Sequence, residues 1–486
     1  MLGLGLLIRI AVACSADHVH HPDEIFQSFE QAHRAVFGYG IVPWEYRFGT
    51  RSWLTPGLVA GVLQVCRLIG LTDPGSYTLA VKLVLCVLSA SLILSSYAIG
   101  RRLGSQRAGL LAAFFAAFWY ELIYFAPRPL TTPLATYAFF GSLALALRPS
   151  DRPAPWAVGA LAALAVAVRV QMLPATAVLG AFALWRWERR TWLRAAAGAV
   201  AVAIAAAALD HATWGAPWHS YVNNYVFNVV HGISANFGTK PAYWYLEALA
   251  ISSGGLFAAT LAWALLRPRA VALPFLCLIA LLLAHSAIGH KEYRFVSTAV
   301  ALFGVLLAVL VDSAIETRVS RVRQRFAACA VAAVLAGFSL AGLLGALPGQ
   351  ARVFDRVPLE RDPSLALYRS LARNPEVGAV LDLTNGWALS GGYTHFHRDV
   401  PLYFKDDVWS GALPQSEWHR HATHVIASRG EKRPVEFDLD STYGDLEIWR
   451  NRERREPLLV LPGYSRHRLH DGIDDVFVPE FAPNPD

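Results

Sequence analysis

The chain has 486 residues, of which 55% are hydrophobic and only 16% charged, whereas soluble domains carry about a quarter charged residues. Its formal charge of +7 resides in short basic clusters between apolar runs, the pattern that marks membrane topology rather than nucleic-acid binding. The length allows a many-helix membrane bundle plus one modest soluble domain.

Residues 2–16, LGLGLLIRIAVACSA, read as a short first transmembrane helix with Arg9 snorkelling to the interface. The competing reading, a signal peptide, lacks a basic leading region. The polar stretch 18–57 follows, and His18, His20, His21, Asp23, Glu24, Glu30, His33 and Glu45 crowd into it. A carboxylate pair beside a bilayer is costly unless it is solvated or has a task, and catalytic carboxylates favour loops placed by a rigid scaffold. Asp23 and Glu24 are the candidate acid–base pair. Glu24 points elsewhere whether the segment is a strand or a helix, so one acid does chemistry and the other orients the loop. Pro-Asp-Glu is also an ordinary first helical turn, with acids favoured by the dipole. The histidines of HxHHxDE are ligand types suited to zinc or manganese, but their spacing is too compressed for easy convergence. No metal is therefore expected, with a divalent ion as the lesser alternative; the histidines bind a ligand or face water. The apolar stretch 53–71 reads as a juxtamembrane or re-entrant helix entered at Pro56.

Candidate spans follow at 77–100, 106–125, 131–148, 155–169, 173–187, 192–210, 246–266, 270–289, 294–313 and 326–346, about eleven with the first helix. The basic clusters at 101–107, 148–152, 186–194, 267–269 and 318–325 then fall on one side, which the positive-inside tendency makes cytoplasmic. The polar stretches 18–57, 127–130, 211–245 and 289–294, with the C-terminus, share the opposite, extracytoplasmic face. Arg128 lies in the Pro-bracketed turn, and Arg169 near the end of a short span. The aromatic-rich segment 211–245, with Trp218 and Asn224, fits an interfacial belt or sugar stacking equally well. HKEYRF at 290–295 sits between two apolar spans; snorkelling is one reading. The other is a phosphate clamp of Lys291 and Arg294, with Glu292 paired to one of them.

The five cysteines, Cys14, Cys66, Cys86, Cys277 and Cys329, all lie in apolar segments and read as buried small hydrophobes. The Ala-rich helices and the lack of an N-x-[ST] sequon lean towards a bacterial inner membrane, or the ER membrane if the chain is eukaryotic. From about residue 348 strand-like runs appear at 377–383, 400–404, 423–428 and 446–451, predicting a small α/β domain of about 140 residues. There His395, His397 and Asp399 read as a solvated turn rather than a metal site.

The loop sequence HPDEIFQSFEQAHRAVFGYG, followed by PWEYRFGTRSWLTPG, resembles the first luminal loop of the polyprenyl (dolichyl)-phosphate-mannose-dependent mannosyltransferases, glycosyltransferase family 22. HKEYRF is similar to that family's second hallmark, and 126–137 and 209–246 look like its intermediate segments. Pro43 departs from the family's usual Thr before Trp44. The resemblance implies an all-α polytopic bundle of GT-C type (residues 1–347, catalytic loop 18–57) with a small extracytoplasmic α/β domain (348–486). It implies transfer of mannose, with inversion, from a polyprenyl-phosphate donor to a hydroxyl of a glycan or glycolipid. Asp23 and Glu24 would be catalytic, and His290, Lys291, Arg294 and Arg128 would bind the donor phosphate. His21, Trp44, Glu45, Arg51, Trp218 and Asn224 would bind acceptor or sugar. A GT-C transferase for another lipid-linked sugar is the nearest alternative. A lipid or solute transporter is the alternative from another class, opposed by spans that carry almost no charge apart from Lys82.

Overall fold

A computed structural model of the chain describes residues 1–16, 18–148, 154–354, 358–359, 362–384, 387, 390–405 and 422–452. A helix occupies each expected span: Leu2–Ser15, Pro74–Leu103, Gln106–Phe118, Thr131–Ala146, Pro155–Val168, Leu173–Arg186, Arg189–Trp214, Trp244–Ser252 with Leu256–Leu266, Pro268–Ala287, Ser297–Arg318 and Gln324–Leu343. By length and composition four helical stretches among the described residues can each cross a membrane: Pro74–Leu103, Arg189–Trp214, Tyr293–Arg318 and Arg321–Leu343. A fifth span arises if the pair Trp244–Ser252 and Leu256–Leu266, bent by 114°, is taken as one. The shorter helices, Leu2–Ser15, Gln106–Phe118 and Pro155–Val168 among them, fall below the roughly 17 residues that a lone span requires. The stretch 53–71 forms the helix Leu54–Leu68. Of the RPSDR cluster, only Arg148 is among the described residues.

The chain divides into two compact units, one of residues 1–15 and 82–359, the other of residues 16–81 and 360–486. In the first unit, Arg9 does not snorkel. It is fully buried and donates to the carbonyls of Gly5 (3.0 Å), Ala117 (2.7 Å) and Ala116 (2.5 Å). The helix Gln106–Phe118 stops at Trp119, whose backbone is extended, before helical structure resumes at Tyr120–Tyr124. That break leaves carbonyls without helical partners, and a cation inside an apolar bundle persists where such acceptors surround it. At the other end of this helix, buried Asp312 accepts from the Ser105 hydroxyl (2.9 Å) and Arg107 Nε (2.6 Å), while Arg107 Nη1 reaches Gln324 (2.7 Å). Arg107 thereby links Asp312 to Gln324 of the second basic cluster. Three of the cysteines are buried as expected, but Cys14 and Cys329 lie on outward helix faces, and all five are free thiols.

The second unit joins the polar loop to the C-terminal region. Its sheet has strands β1 (Val380–Asp382), β2 (Leu402–Phe404), β3 (His424–Ser428), β4 (Phe437–Tyr443) and β5 (Leu446–Asn451), in the order β2-β1-β3-β5-β4. β1 runs parallel to β2 and β3, and β5 pairs antiparallel with β3 and β4. Leu381, Tyr403, Val425, Phe437 and Trp449 form a core on this sheet. Four strands lie within the predicted runs. The fifth, β4, has a largely solvated face and an irregularity between Leu439 and Ser441, which hides the apolar alternation of an ordinary strand. The segment 395–397 is not a solvated turn: His395 is buried, and His397 bonds His33.

Candidate functional site

In the second unit, residues 22–37 form one unbroken helical run, an α turn at Pro22–Glu24, a π turn at Ile25–Phe29 and the α-helix Glu30–Phe37. His21 caps it in extended conformation, its Nδ1 accepting from the Asp23 amide at 3.3 Å. Proline fits the first position because its missing N–H would be unpaired there. The π turn inserts a residue into the helix, a feature frequent at functional sites. The two neighbouring acids differ sharply in environment. The Asp23 side chain keeps 20% exposure, with one oxygen 3.3 Å from His21 Nδ1, whereas Glu24 is buried. Asp23 is thus the more accessible of the two acids. His18 and His20 are buried rather than facing water.

Glu45 and Trp44 begin the short helix Trp44–Arg47 after Pro43. Gln27 Nε2 donates to Glu45 Oε1 at 2.8 Å, and the Tyr46 hydroxyl donates to the Gln27 carbonyl at 3.0 Å. Burial pushes the Glu45 carboxyl up to about 7, Arg51 pulling it down and Asp23 pushing it further up. Asp23 and Arg51 therefore both lie close enough to act on the Glu45 carboxyl. Among the described residues, no group of three or more His, Cys, Asp or Glu is arranged to hold a metal ion.

The first unit holds the other predicted residues. His290 and Arg294 both engage Glu292, through His290 Nε2 at 2.8 Å and Arg294 Nε at 2.5 Å. Glu292 thus pairs with Arg294, not Lys291. The bond to Glu292 raises the His290 imidazole above its ordinary range, burial opposing and the Gly238 carbonyl assisting. The Lys291 ammonium is directed at the carbonyls of Lys240 (3.1 Å), Ile288 and Gly289 (3.5 Å). It ties the segment 238–240 to the turn that ends helix Pro268–Ala287, and burial lowers its pKa.

The guanidiniums of Arg169 and Arg294 lie 4.6 and 4.9 Å from the centre of the same ring, Phe295. Arg169 is thereby brought to the hairpin from the end of helix Pro155–Val168. Arg128 is buried with its guanidinium 4.2 Å over Tyr124. Trp218, in the left-handed region at φ 62°, is 42% exposed ahead of helix His219–Tyr225. Asn224, on that helix, accepts at its carbonyl from Asn228 Nδ2 (3.1 Å).

One neighbour of the predicted residues was missed in the sequence. Glu121 is buried inside the span 106–125 and accepts from the Tyr293 hydroxyl of HKEYRF at 2.8 Å; that hydroxyl also meets Ser252 Oγ at 2.5 Å. The signal was present, since an acid inside FFAAFWYELIYF is costly without a partner.

Known proteins resemble this chain in family, in sequence and in structure. The family model described as the Alg9-like mannosyltransferase family matches residues 2–354. A GPI mannosyltransferase 3 from Yarrowia lipolytica is 27% identical over 426 residues, 82% of this chain and 74% of that protein. A GPI alpha-1,2-mannosyltransferase 3 from Mus musculus is 26% identical over 287 residues, 57% of this chain and 52% of that protein, so this chain spans about half of the mouse relative. In structure, ArnT from Cupriavidus metallidurans bound to undecaprenyl phosphate superposes with a TM-score of 0.61 at 12% identity, over 95% of this chain and 98% of that one. That likeness shows a shared fold, the GT-C architecture that the loop sequences imply.

Proposed function

The chain belongs to the Alg9-like mannosyltransferase family, and on that premise we propose that it moves mannose from a polyprenyl-phosphate donor to a hydroxyl of a glycolipid, with inversion, on the extracytoplasmic face of the membrane. The half-open Asp23, beside the buried Glu24 and Glu45, carries this reading. It is the acid in the loop with both access to a reactant and neighbours that hold it.

In the proposed reaction the Asp23 carboxylate takes the proton of the acceptor hydroxyl while that oxygen attacks the anomeric carbon from the side opposite the phosphate. The carbon–oxygen bond to the phosphate breaks, and the lipid phosphate leaves with the electron pair. In-line alignment and a positioned base supply most of such a rate. Arg294 and Arg169, drawn together at Phe295, with His290 and Lys291 in the same hairpin, are suited to the charge that develops on the phosphate. Arg128 is proposed to contribute there as well. Glu292 fixes the plane of Arg294 and keeps the cluster from excess positive charge. Trp44, Trp218, Asn224, His21, Glu45 and Arg51 are proposed for acceptor and sugar contacts. No divalent ion is required by these steps.

Two relatives are named as GPI mannosyltransferases, which favours a mannose-bearing glycolipid acceptor; the mouse relative's name supports an α-1,2 linkage. The fold neighbour bound to undecaprenyl phosphate supports a donor lipid of that class. The test is to incubate the purified full chain with polyprenyl-phosphate mannose and a panel of glycan and glycolipid acceptors, and to weigh the products. A gain of one hexose on a mannose-terminated glycolipid is expected. Transfer from a different polyprenyl-phosphate sugar, with none from mannose, would replace the donor assignment.

A further inference from the structure

The C-terminal region has no counterpart in the loop motifs and lies largely beyond the matched residues 2–354. It nonetheless forms one compact unit with the loop that carries Asp23. Three side chains at helical spacing make the connection. Phe26 meets Trp387 edge-on, with ring centres 4.8 Å apart. One turn later the fully buried Glu30 receives four hydrogen bonds. The Ile41 amide donates to Oε1 at 2.8 Å and the Tyr393 amide at 3.1 Å; the Thr394 amide and hydroxyl donate to Oε2 at 2.9 and 2.8 Å. His33 Nε2 then pairs with His397 Nδ1 at 2.9 Å.

The contacts of Phe26, Glu30 and His33 put all three residues on the face of the helical run that meets residues 387–397, and Asp23 stands three residues before the first of them. The approach of the two segments is close enough to dictate sequence. Gly392 has φ +56°, and a Cβ there would lie 2.6 Å from Glu30 Oε2. The Tyr77 hydroxyl closes the arrangement by donating to the Thr394 carbonyl. Every donor aimed at Glu30 is itself shielded from water, so losing the carboxylate leaves groups that must be satisfied elsewhere or opened to solvent.

We propose that the turn 392–397 of the C-terminal region is a positioning element of the transfer site, setting the place of Asp23 through Glu30, His33 and Phe26. The proposal rests on the transfer reaction given above, in which Asp23 must meet the acceptor hydroxyl at hydrogen-bond distance. A displacement of about 1 Å in a catalytic group is enough to cost on the order of a hundredfold in rate. Glu30 and Thr394 are positioning residues that act through the helical run, with no contact to the reacting atoms required of them.

The test uses the full chain in detergent, with polyprenyl-phosphate mannose and a mannose-terminated glycolipid, and follows amide hydrogen exchange over residues 22–29 in the same samples. Thr394→Val is expected to speed exchange over 22–29 and to lower kcat about tenfold, with donor KM within about twofold of the parent. Thr394→Ser, which keeps the hydroxyl, should restore both. Glu30→Ala should act in the same direction by on the order of a hundredfold; if it does not fold, the threonine pair decides alone. The proposal is overturned if Thr394→Val leaves exchange over 22–29 unchanged, or speeds it with no change in kcat. It is also overturned if kcat merely follows the folded fraction while Thr394→Ser behaves like Thr394→Val. If the parent protein consumes no polyprenyl-phosphate mannose, the transfer reaction falls, and the exchange result still decides whether the turn holds the loop.

Discussion

His33 provides a quantitative test of how the loop is held. Its ring is fully buried among Phe37, Tyr39, Tyr77 and His397, at ring separations of 4.7, 5.0, 6.4 and 5.1 Å. Nδ1 lies 3.0 Å from the Tyr39 carbonyl, so it carries the proton, and Nε2 accepts from His397. Burial pushes the His33 pKa down to about 3, with the neighbouring His397 adding to the fall and the Tyr39 carbonyl opposing it. Protons on both rings would leave two N–H groups facing each other across the contact. His397 is likewise lowered by burial, with Asp73 pulling the other way. The fully buried Glu30 anchors the same helix against the same turn.

The sign follows from proton counts. Below pH 6.5 the unfolded chain binds a proton at His33, and the folded unit does not until about pH 3, so stability falls as the pH drops through that window. At pH 5 the unfolded histidine sits about 1.5 units below its ordinary pKa, which is worth about 2 kcal/mol at 1.36 kcal/mol per unit. That figure hardly depends on the folded pKa as long as the latter lies well below 5. The perturbation is acidification from pH 7.5 to 5, in the parent and in His33→Phe, whose ring fits the aromatic cage. The assay is pulse proteolysis of the second unit in rising urea, converting midpoints to free energy through the slope. The parent should lose about 2 kcal/mol more than the variant. Equal losses in both proteins would refute a neutral, buried His33.

Glu45 has the opposite slope. Its carboxyl is raised to about 7, so the stability it permits is complete below about 4.5 and is lost as pH rises to 7. Glu45→Gln should remove up to about 3 kcal/mol of that loss in the same assay, and an unchanged slope would contradict a buried, proton-holding Glu45. Arg294→Lys should lower kcat/KM for the donor by about 10- to 100-fold, because lysine cannot reproduce the planar fork held by Glu292; parental kinetics would remove the clamp. Lys291→Ala should raise donor KM, and an unchanged value would leave Lys291 as a tie between backbone segments alone. Transfer should persist in EDTA, whereas loss with rescue by manganese would favour a metal-dependent reaction.

The helices were legible because apolar runs bounded by basic clusters report where a helix starts and stops, and family membership bears out the mannosyltransferase reading of the two motifs. Arg9 was misread because snorkelling is the default for a lone arginine in a short apolar helix; the break at Trp119 that supplies its acceptors is far away in the chain. Glu121 was passed over for the same reason, its partner Tyr293 being distant in sequence. The division of the chain was hidden more deeply. Nothing local in FQSFEQAH says that Glu30 seeks amides at 393 and 394, since a buried carboxylate and the backbone that satisfies it leave no periodic trace. β4 was lost because a bulged, half-solvated strand resembles a polar loop. The outward-facing Cys14 and Cys329 show that in an apolar helix composition cannot distinguish a lipid-facing position from an interior one.

The account depends on Asp23 being the base that draws a hydroxyl onto a lipid-borne mannose. The most direct measurement is a single turnover of Asp23→Asn with radiolabelled polyprenyl-phosphate mannose and a mannose-terminated glycolipid. The predicted result is donor bound with parental affinity while label passes to the acceptor at least about a hundredfold more slowly. Label reaching the acceptor at the parental rate would contradict it.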